Sequence, residues 1–387
     1  MDDELARRTR VRLIETACIS ILGILLVAGL WPFHASQNNV SWMPHGDGLY
    51  FGRHGSIVSA SSFPPQSDKA SGSLEVWLDP TVERGAHTIL SFDGSAHLGA
   101  PFSLRQLDDS LIVEQDNEDR NGNSWTAWSA VKGALRAEKP VFATIILKPR
   151  HTAIYLDGVF NKDTLIGDSS NNLTGHLVVA NSPSSNDSWS GTIKGMAIYD
   201  RQLTQTEILE HYESWAKNGR PNLTQEEAPI ALYLFDERVG DIAHSQFDHS
   251  VDLKIPNRYF VLHPPFLESP MRSYRPTWSY WKDVALNVVG FIPFGFFTAT
   301  YFSSVRQVKG AVAIAVVLGF VTSLIIETLQ AFLPTRDSGI NDIITNTVGT
   351  TLGAMTYAYF RGASWLEPRL EKVARRSSLR QIGVSQP

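Results

Sequence analysis

The hydrophobic positions of this chain follow two different patterns. Four long apolar runs predict membrane helices at residues 13–33, 284–302, 310–332 and 340–360, because crossing a bilayer takes about 20 mostly apolar residues. Between the first and second runs the pattern changes to short alternating segments, which are typical of strands with one buried face. The sequence therefore predicts a helical membrane bundle whose first two spans are separated by an all-β domain.

The alternating segments recur between turn residues. They lie at residues 73–78, 87–92, 110–115, 143–148, 152–156 and 176–180. In the first of them, alternation places Leu74, Val76 and Leu78 on one face, and we expect Glu75 to face solvent. Asp157-Gly158 is a strong signal for a tight turn. Many short strands at this spacing predict a sandwich.

The distribution of charge predicts the orientation of the chain in the membrane and argues against nucleic acid as a partner. The net charge of −5 gives no basic field for nucleic acid. Basic residues cluster before the first apolar run, between the second and third, and after the fourth; they include Arg7, Arg8, Arg10, Arg12, Arg306, Lys309, Arg369, Lys372, Arg375, Arg376 and Arg380. Because basic segments stay in the cytoplasm, we expect both termini there and the β domain outside. The single cysteine, Cys18, excludes an intrachain disulfide.

These patterns divide the chain into six segments. We predict a cytoplasmic N-terminus (1–12), a first transmembrane helix (13–33), a sandwich (39–220), flanking strands with an aromatic and proline-rich return to the membrane (221–283), a three-helix block (284–360) and a basic cytoplasmic tail (361–387).

Polar residues interrupt the last two apolar runs. Glu327 and Gln330 share one helix face, as do Asp342 and Asn346. The predicted topology brings these residues to the outer leaflet, with Arg336 between the two helices. We therefore predict a pocket centred on Glu327, Arg336 and Asp342, with catalytic potential. Its wall would contain Asn287, Gln330 and Asn346. The alternative is that these groups cap helices and hydrogen-bond the bundle together.

The sequence signals for binding residues in the β domain are weaker than those for the predicted pocket. Trp125, Trp128 and Trp189 could stack on sugar rings, although tryptophan more often packs in a core. No E-x-D-x-E run falls on the strands identified above, so we expect a binding module rather than a glycosidase.

A calcium site in the β domain is a second open question. Asn117, Asp119 and Asn121 resemble the start of a calcium loop. Trp128 stands where such a loop needs a carboxylate, so a polar hairpin is the alternative. The sequence specifies no other cofactor.

Two stretches also resemble known families. The segments GSLEVWLDP, AIYLDG and WSGTIKGMAIYDRQLTQTEILEHY resemble a concanavalin A-like, laminin-G-type jelly roll. In such a domain a closing strand at residues 193–199 is followed by a short helix. Thr204 and Glu207 form a capping-box pattern at its start. The fold alone does not identify a ligand.

The C-terminal block resembles the VanZ-like membrane family over WKDVALNVVGFIPFGF and IIETLQAFLPTRDSGINDIITNTVGTTLGA. The resemblance implies that the family's polar positions correspond here to Asn287, Pro293, Gly295, Glu327, Gln330, Arg336, Asp342, Asn346 and Gly349. It also implies that residues 13–33 are the first helix of the bundle, with the sandwich inserted after it. The family is associated with reduced sensitivity to a glycopeptide antibiotic.

The expected fold is thus multi-domain, an all-α four-helix transmembrane bundle (VanZ-like) plus an all-β concanavalin A-like sandwich. Three functions fit it. The leading one is a bacterial cell-envelope membrane protein whose lectin-like domain binds glycan or lipid-linked sugar outside, above a polar outer-leaflet pocket for an anionic lipid headgroup. The second is a membrane enzyme acting on a lipid phosphate or glycolipid, with Glu327 or Asp342 as base and Arg336 holding charge. The third is an adhesive module with a plain anchor. Membrane lipids and carbohydrate are the expected partners.

Overall fold

The computed structural model describes residues 2–64, 71–82, 84–94, 101–118, 124–167, 173–223, 227–270 and 278–382. The chain forms two compact units. The helical unit comprises Met1–His34 and Pro265–Pro387, and the β unit comprises Ala35–Pro264. The helices are α1 (Asp2–Leu30), α2 (Gln205–Asn218), α3 (Trp278–Thr300), α4 (Ala311–Gln330) and α5 (Ile340–Ile382).

The helical unit contains three helical segments long and apolar enough to cross a membrane, among the residues described. They are Val11–Leu30, Tyr280–Val305 and Ala311–Gln330. The fourth predicted span forms the first part of α5. It falls outside this set because Asp342, Asn346 and several threonines dilute its apolar residues.

Small residues let α3 and α5 approach closely. A Cβ atom added at Gly349 or Gly353 of α5 would collide with the backbone carbonyl of Val288 or Ile292 in α3. The helix backbones therefore touch where the sequence has a small-xxx-small edge. On α1, a stripe of aliphatic side chains packs against α3 and α4; the contacting residues are Ile21, Leu25, Leu26, Phe291, Phe294 and Ile326.

The β unit contains sixteen strands among its described residues. They are β1 (Val40–Trp42), β2 (Leu49–Phe51), β3 (Ile57–Ser59), β4 (Gly72–Pro80), β5 (Ala86–Asp93), β6 (Phe102–Leu107), β7 (Ser110–Glu118), β8 (Ser124–Val131), β9 (Val141–Lys148), β10 (Arg150–Leu156), β11 (Val159–Gly167), β12 (His176–Val179), β13 (Gly191–Tyr199), β14 (Ala231–Tyr233), β15 (Ile242–Ala243) and β16 (Leu253–Lys254).

These strands form two antiparallel sheets. Sheet 1 has the order β1-β2-β13-β4-β9-β10-β11, with β14 paired to β13. Sheet 2 has the order β15-β16-β3-β12-β5-β6-β7-β8. Alternating residues of both sheets, including Leu74, Val76 and Leu78, fill a common core. The predicted fold class is confirmed. Strands β14 to β16 come from the segment expected to flank the sandwich.

Helix α2 covers the outer face of sheet 1. It begins where predicted: Glu207 donates its backbone N–H to the Thr204 hydroxyl, and the Glu207 carboxylate accepts the Thr204 N–H at 2.6 Å. Its apolar side chains Ile208 and Trp215 pack on residues of β9, β10 and β13. Sheet 2 carries no helix on its outer face among the residues described.

The expectation that Glu75 faces solvent is wrong. Its side chain is completely buried beneath α2. The Tyr199 hydroxyl donates to Glu75 Oε2 at 2.9 Å, and His211 Nδ1 lies 3.0 Å from Glu75 Oε1. Alternation within β4 places Glu75 on the face opposite the core, and that face is occupied by a helix. The carboxylate is therefore part of a buried polar cluster.

Candidate functional site

The outer face of sheet 2 carries one continuous row of residues across the sheet. Residues directly opposite each other on neighbouring strands share a face. The pairs Ile242–Lys254, Lys254–Val58, Val58–Val178, Val178–Ser91, Ser91–Ser103, Ser103–Glu114 and Glu114–Trp128 link all eight strands. Trp128 therefore lies at one edge of this face, and Lys254 and Ile242 lie at the other.

Trp128 is the most exposed of the three candidate tryptophans, with 63% of its surface accessible. Trp125 is 46% exposed but lies three positions earlier on β8, so it points to the opposite side of the sheet. Trp189 is fully buried, and its indole N–H donates to Gln106 Oε1 at 2.7 Å. The structure removes Trp189 from the sugar-stacking candidates, because its ring belongs to the core.

A charged network lies beside Trp128. Arg105 Nη1 contacts Glu114 Oε2 at 3.0 Å, and Arg105 Nη2 contacts Asp187 Oδ2 at 3.1 Å. Thr88 donates its hydroxyl to the same Asp187 oxygen at 2.8 Å. Burial by itself lowers the pKa of Arg105, but the charges of Glu114 and Asp187 raise it above its ordinary value. This face therefore presents a fixed cation and two carboxylates next to an exposed aromatic ring.

Strand β7 also contains the carboxylate run that sequence reasoning missed. Glu114, Asp116 and Glu118 form an E-x-D-x-E pattern, and β7 extends through Glu118. The predicted strand ends at Gln115, and the expectation that no E-x-D-x-E run lies on a strand is wrong. Pairing with β8 continues the strand through the polar residues. Period two puts the backbone positions of all three acids on the outer face.

The carboxyl group of Asp116 lies in a different environment from that of Glu114. Burial raises the pKa of Asp116 and the Glu114 charge raises it further, while a hydrogen bond from the Thr126 hydroxyl opposes both effects. That bond is 2.7 Å long. Glu114 by contrast is paired with Arg105. The two carboxyl groups therefore lie on one face in different environments.

Of the three calcium candidates, Asn117 lies within the described residues. Asn117 points to the opposite side of β7 from Glu114, and its amide donates to the carbonyls of Gln115 and Ile166. Asp119 and Asn121 lie outside the described residues.

A pocket of about 440 Å³ opens at the other edge of sheet 2, around β15 and β16. Its lining includes Val58, Asp241, Ile242, Lys254, Pro256 and Phe260. The pocket combines apolar walls with one cation and one carboxylate.

In the helical unit, the Glu327 side chain is hydrogen-bonded to the loop between α4 and α5. It is almost fully buried, and Oε2 accepts the backbone N–H of Gly339 at 2.8 Å. The same loop is held by Glu268, whose N–H donates to Ser338 and whose carbonyl accepts from Ile340. Asp342 lies close enough for its charge to act on Glu327.

Arg336 binds backbone carbonyls at the end of α1. Its guanidinium donates to the backbone carbonyls of Trp31, at 2.9 and 3.2 Å, and Ala28, at 3.2 Å. Gln330 likewise donates to the carbonyl of Gly29 at 2.8 Å. These carbonyls end α1, where a helix carries partial negative charge. Within the described residues, Arg336 forms no ion pair with Glu327 or Asp342.

The predicted pocket-wall residues Asn287 and Asn346 make hydrogen bonds to different partners. Asn287 makes a side-chain hydrogen bond to Asp342, and the charges of Asp283 and Asp337 act on the same carboxylate. Asn346 is buried and donates to the Ser323 hydroxyl at 2.9 Å, joining α5 to α4. The cluster formed by Glu327, Asp342, Asp283 and Asp337 is thus acidic.

A cavity of about 910 Å³ lies where α4 begins, at the other end of that helix from Glu327. Lys309, Ser304, Tyr357 and Arg361 contribute to its lining, and Arg361 donates to the Ser303 hydroxyl. The two ends of the bundle therefore differ in charge.

Comparisons with known families agree with this architecture. Residues 215–361 match the family model described as VanZ/LLP1, and residues 52–209 match that of the concanavalin A-like lectin/glucanases superfamily. The chain joins a VanZ-type region to a lectin-type domain. The predicted combination of families is therefore confirmed, and it indicates a membrane-associated carbohydrate-binding protein. The VanZ/LLP1 match begins at Trp215, so the assignment of α1 as the first VanZ-type helix stays a prediction. No curated protein matches this chain.

Solved structures similar to the lectin-type domain are distant. The receptor binding domain of botulinum neurotoxin D is 14% identical with a TM-score of 0.36, and the match covers 47% of each chain. The binding domain of Paraclostridial Mosquitocidal Protein 1 is 13% identical with a TM-score of 0.35, and the match again covers 47% of each chain. This chain matches about half the length of these structures.

Proposed function

We propose that this VanZ-type protein binds glycan or lipid-linked sugar outside the membrane through the Trp128 edge of sheet 2. The observation that supports this proposal is the exposed indole of Trp128 directly opposite Glu114, beside the Arg105–Asp187 pair. An aromatic ring provides a flat apolar surface for a sugar ring. Charged side chains provide strong hydrogen bonds to hydroxyl groups.

The orientation is part of the proposal. Three basic clusters, at the N-terminus, between α3 and α4, and at the C-terminus, favour a cytoplasmic location for these segments. The β unit follows α1 in the chain and would therefore be extracytoplasmic.

The acidic cluster of the helical unit is better suited to bind a sugar headgroup than a phosphate group. Glu327 and Asp342 carry no ion pair within the described residues, and Arg336 is bound to the end of α1. Carboxylates accept hydrogen bonds from sugar hydroxyls but repel phosphate. We propose that this cluster receives the sugar of a lipid-linked saccharide.

A screen of the full chain in nanodiscs against immobilised oligosaccharides tests the proposal. Binding to a defined glycan class, competed by the free sugar, is the expected result. Absence of binding across glycans and lipid-linked saccharides of the bacterial envelope would contradict it.

Hydrolysis is a second candidate function, favoured by Glu114 and Asp116 on one face. A retaining glycosidase needs carboxyl groups about 5 Å apart, one of them ionised and one protonated. The raised pKa of Asp116 and the Arg105 pairing of Glu114 fit this division. Release of reducing ends from a bound oligosaccharide, lost in Asp116→Asn and in Glu114→Gln, would establish hydrolysis.

A further inference from the structure

The loop between β15 and β16 brings together three potential metal ligands in the β unit. His244 is the first residue after β15 and Asp252 is the last before β16. Because Ala243 pairs with Leu253, the two strand ends hold His244 and Asp252 next to each other. His249 begins a short 3-10 helix, His249–Val251, within the loop.

The ligand atoms converge on a small volume. His244 Nδ1 lies 2.7 Å from Asp252 Oδ2, and His249 Nδ1 lies 3.4 Å from Asp252 Oδ1. The two imidazole rings are 5.7 Å apart and nearly perpendicular, at 86°. All three ligand atoms fall within 4.8 Å of one another. Zinc–nitrogen and zinc–oxygen bonds of about 2.0–2.2 Å can reach such a set after small side-chain rotations.

Hydrogen bonds to the backbone fix this loop before any metal binds. The N–H of Ser245 donates to Asp252 Oδ1 at 2.8 Å, and the N–H of His244 donates to Glu237 Oε1 at 2.6 Å. Asp248 accepts the N–H of Ser250 at 2.8 Å and so caps the short helix. The Asp252 carboxylate is largely buried while both imidazoles are exposed, so a metal can reach them from solvent.

We propose that His244, His249 and Asp252 bind a divalent transition metal of the zinc class. Two imidazoles and one carboxylate suit zinc, nickel or copper, whereas calcium prefers oxygen ligands. Three protein ligands leave a fourth position for water or an exogenous ligand. The site closes the β15–β16 hairpin, which forms the edge of sheet 2.

Other histidine–aspartate contacts in the β unit show what an ordinary pair looks like. His151 lies 3.1 Å from Asp163, and His263 lies 2.8 Å from Asp93. Each of these pairs has a single imidazole. Within the described part of the chain, the group at residues 244, 249 and 252 is the only one where three such ligands converge this closely. The second imidazole therefore distinguishes the group at residues 244, 249 and 252 from these two histidine–aspartate pairs.

The test uses the full chain in nanodiscs, without a histidine tag. Zn²⁺ and Ca²⁺ are titrated separately by isothermal calorimetry against the wild type, His249→Ala and His151→Ala. His249 and His151 are both exposed, so neither change removes core packing. Co²⁺ absorbance reports whether imidazole ligands form the site.

We expect the wild type and His151→Ala each to bind one Zn²⁺ per chain and to show no Ca²⁺ binding at this site. We expect His249→Ala to weaken Zn²⁺ binding by more than about 100-fold, because loss of an outer-shell partner alone costs about 10–100-fold. Asp252→Asn keeps an acceptor for Ser245 and should also lose Zn²⁺. Equal Zn²⁺ affinity in His249→Ala and His151→Ala, or no stoichiometric binding by the wild type, would overturn the proposal.

Discussion

Trp128 and Glu114 lie directly opposite each other on β8 and β7. One is a largely exposed ring and the other is held by Arg105 at 3.0 Å. Sheet pairing fixes their separation, because opposite residues have Cβ atoms about 4.5–5.5 Å apart. This face therefore offers an apolar surface and oriented polar groups on rigid strands, which is the arrangement expected of a preorganised binding surface.

The buried pair of His211 and Glu75 should make stability depend on pH. Burial alone lowers the pKa of His211, but the hydrogen bond and charge of Glu75, with smaller effects of Glu207 and Glu227, raise it above its ordinary value. A raised folded-state pKa contributes stability that is fully present below the unfolded value of about 6.5 and is lost as pH rises through the folded value. Thermal unfolding of the β unit within the full chain should thus show a lower Tm above that range.

Two variants of the buried cluster of Glu75, His211 and Tyr199 act as controls. His211→Ala should cost about 3–5 kcal/mol, because it leaves the Glu75 carboxylate buried without its imidazole partner. Tyr199→Phe should cost less and keep the pH dependence. A pH profile of the wild type that matches that of His211→Ala would contradict this account.

Glycines at the α3–α5 contact should tolerate no added methyl group. Gly353→Ala places a Cβ against the carbonyl of Ile292, which must shift the helices apart. Gly290→Ala in α3 meets nothing within 4 Å and should be neutral or stabilise its helix by up to about 1 kcal/mol. Unfolding in detergent measures the stability of both variants. Equal stability of the two variants would show that the close contact does not matter.

The structural role of the Glu327 carboxylate can be tested separately from the binding role that we propose for it. Glu327→Gln keeps an acceptor for the Gly339 N–H and should leave bundle stability nearly unchanged. Glu327→Ala leaves that N–H unpaired and should cost about 1–3 kcal/mol. If the cluster binds the headgroup of a lipid-linked sugar, Glu327→Gln should reduce that binding at normal protein abundance. Unchanged binding in both variants would make Glu327 purely structural.

Topology can be tested independently of binding. Reporters fused after Gly219 should read extracytoplasmic, and reporters after Gln307 or at the C-terminus should read cytoplasmic. A cytoplasmic signal at Gly219 would place all three basic clusters on the wrong side and would contradict the proposed orientation.

The sequence predicted the elements whose signals are local. Alternation in β4 identified its core residues, and the Thr204 capping box located the start of α2. The burial of Glu75 could not be read from β4 alone, because it depends on a helix more than a hundred residues later. The E-x-D-x-E run was missed because Gln115 and Asn117 interrupt the apolar alternation, and only pairing with β8 extends that strand.

The helical site shows the same limit. Helix periodicity relates Glu327 to Gln330 and Asp342 to Asn346 on their own helices. It does not specify the partner of a loop residue such as Arg336. The structure directs that guanidinium to carbonyls at the end of α1, about three hundred residues earlier in the chain. Arg336 therefore connects the α4–α5 loop to the end of α1, a contact that no local sequence pattern specifies.

The most direct test of the central proposal compares two tryptophans of one strand. Trp128 and Trp125 are both exposed but lie on opposite sides of β8. Using the best glycan from the nanodisc screen, we predict that Trp128→Ala weakens binding by about tenfold or more, the usual loss on truncating an aromatic anchor. Trp125→Ala should bind as the wild type does. Equal losses in the two variants, or wild-type affinity in Trp128→Ala, would contradict a glycan site on the outer face of sheet 2.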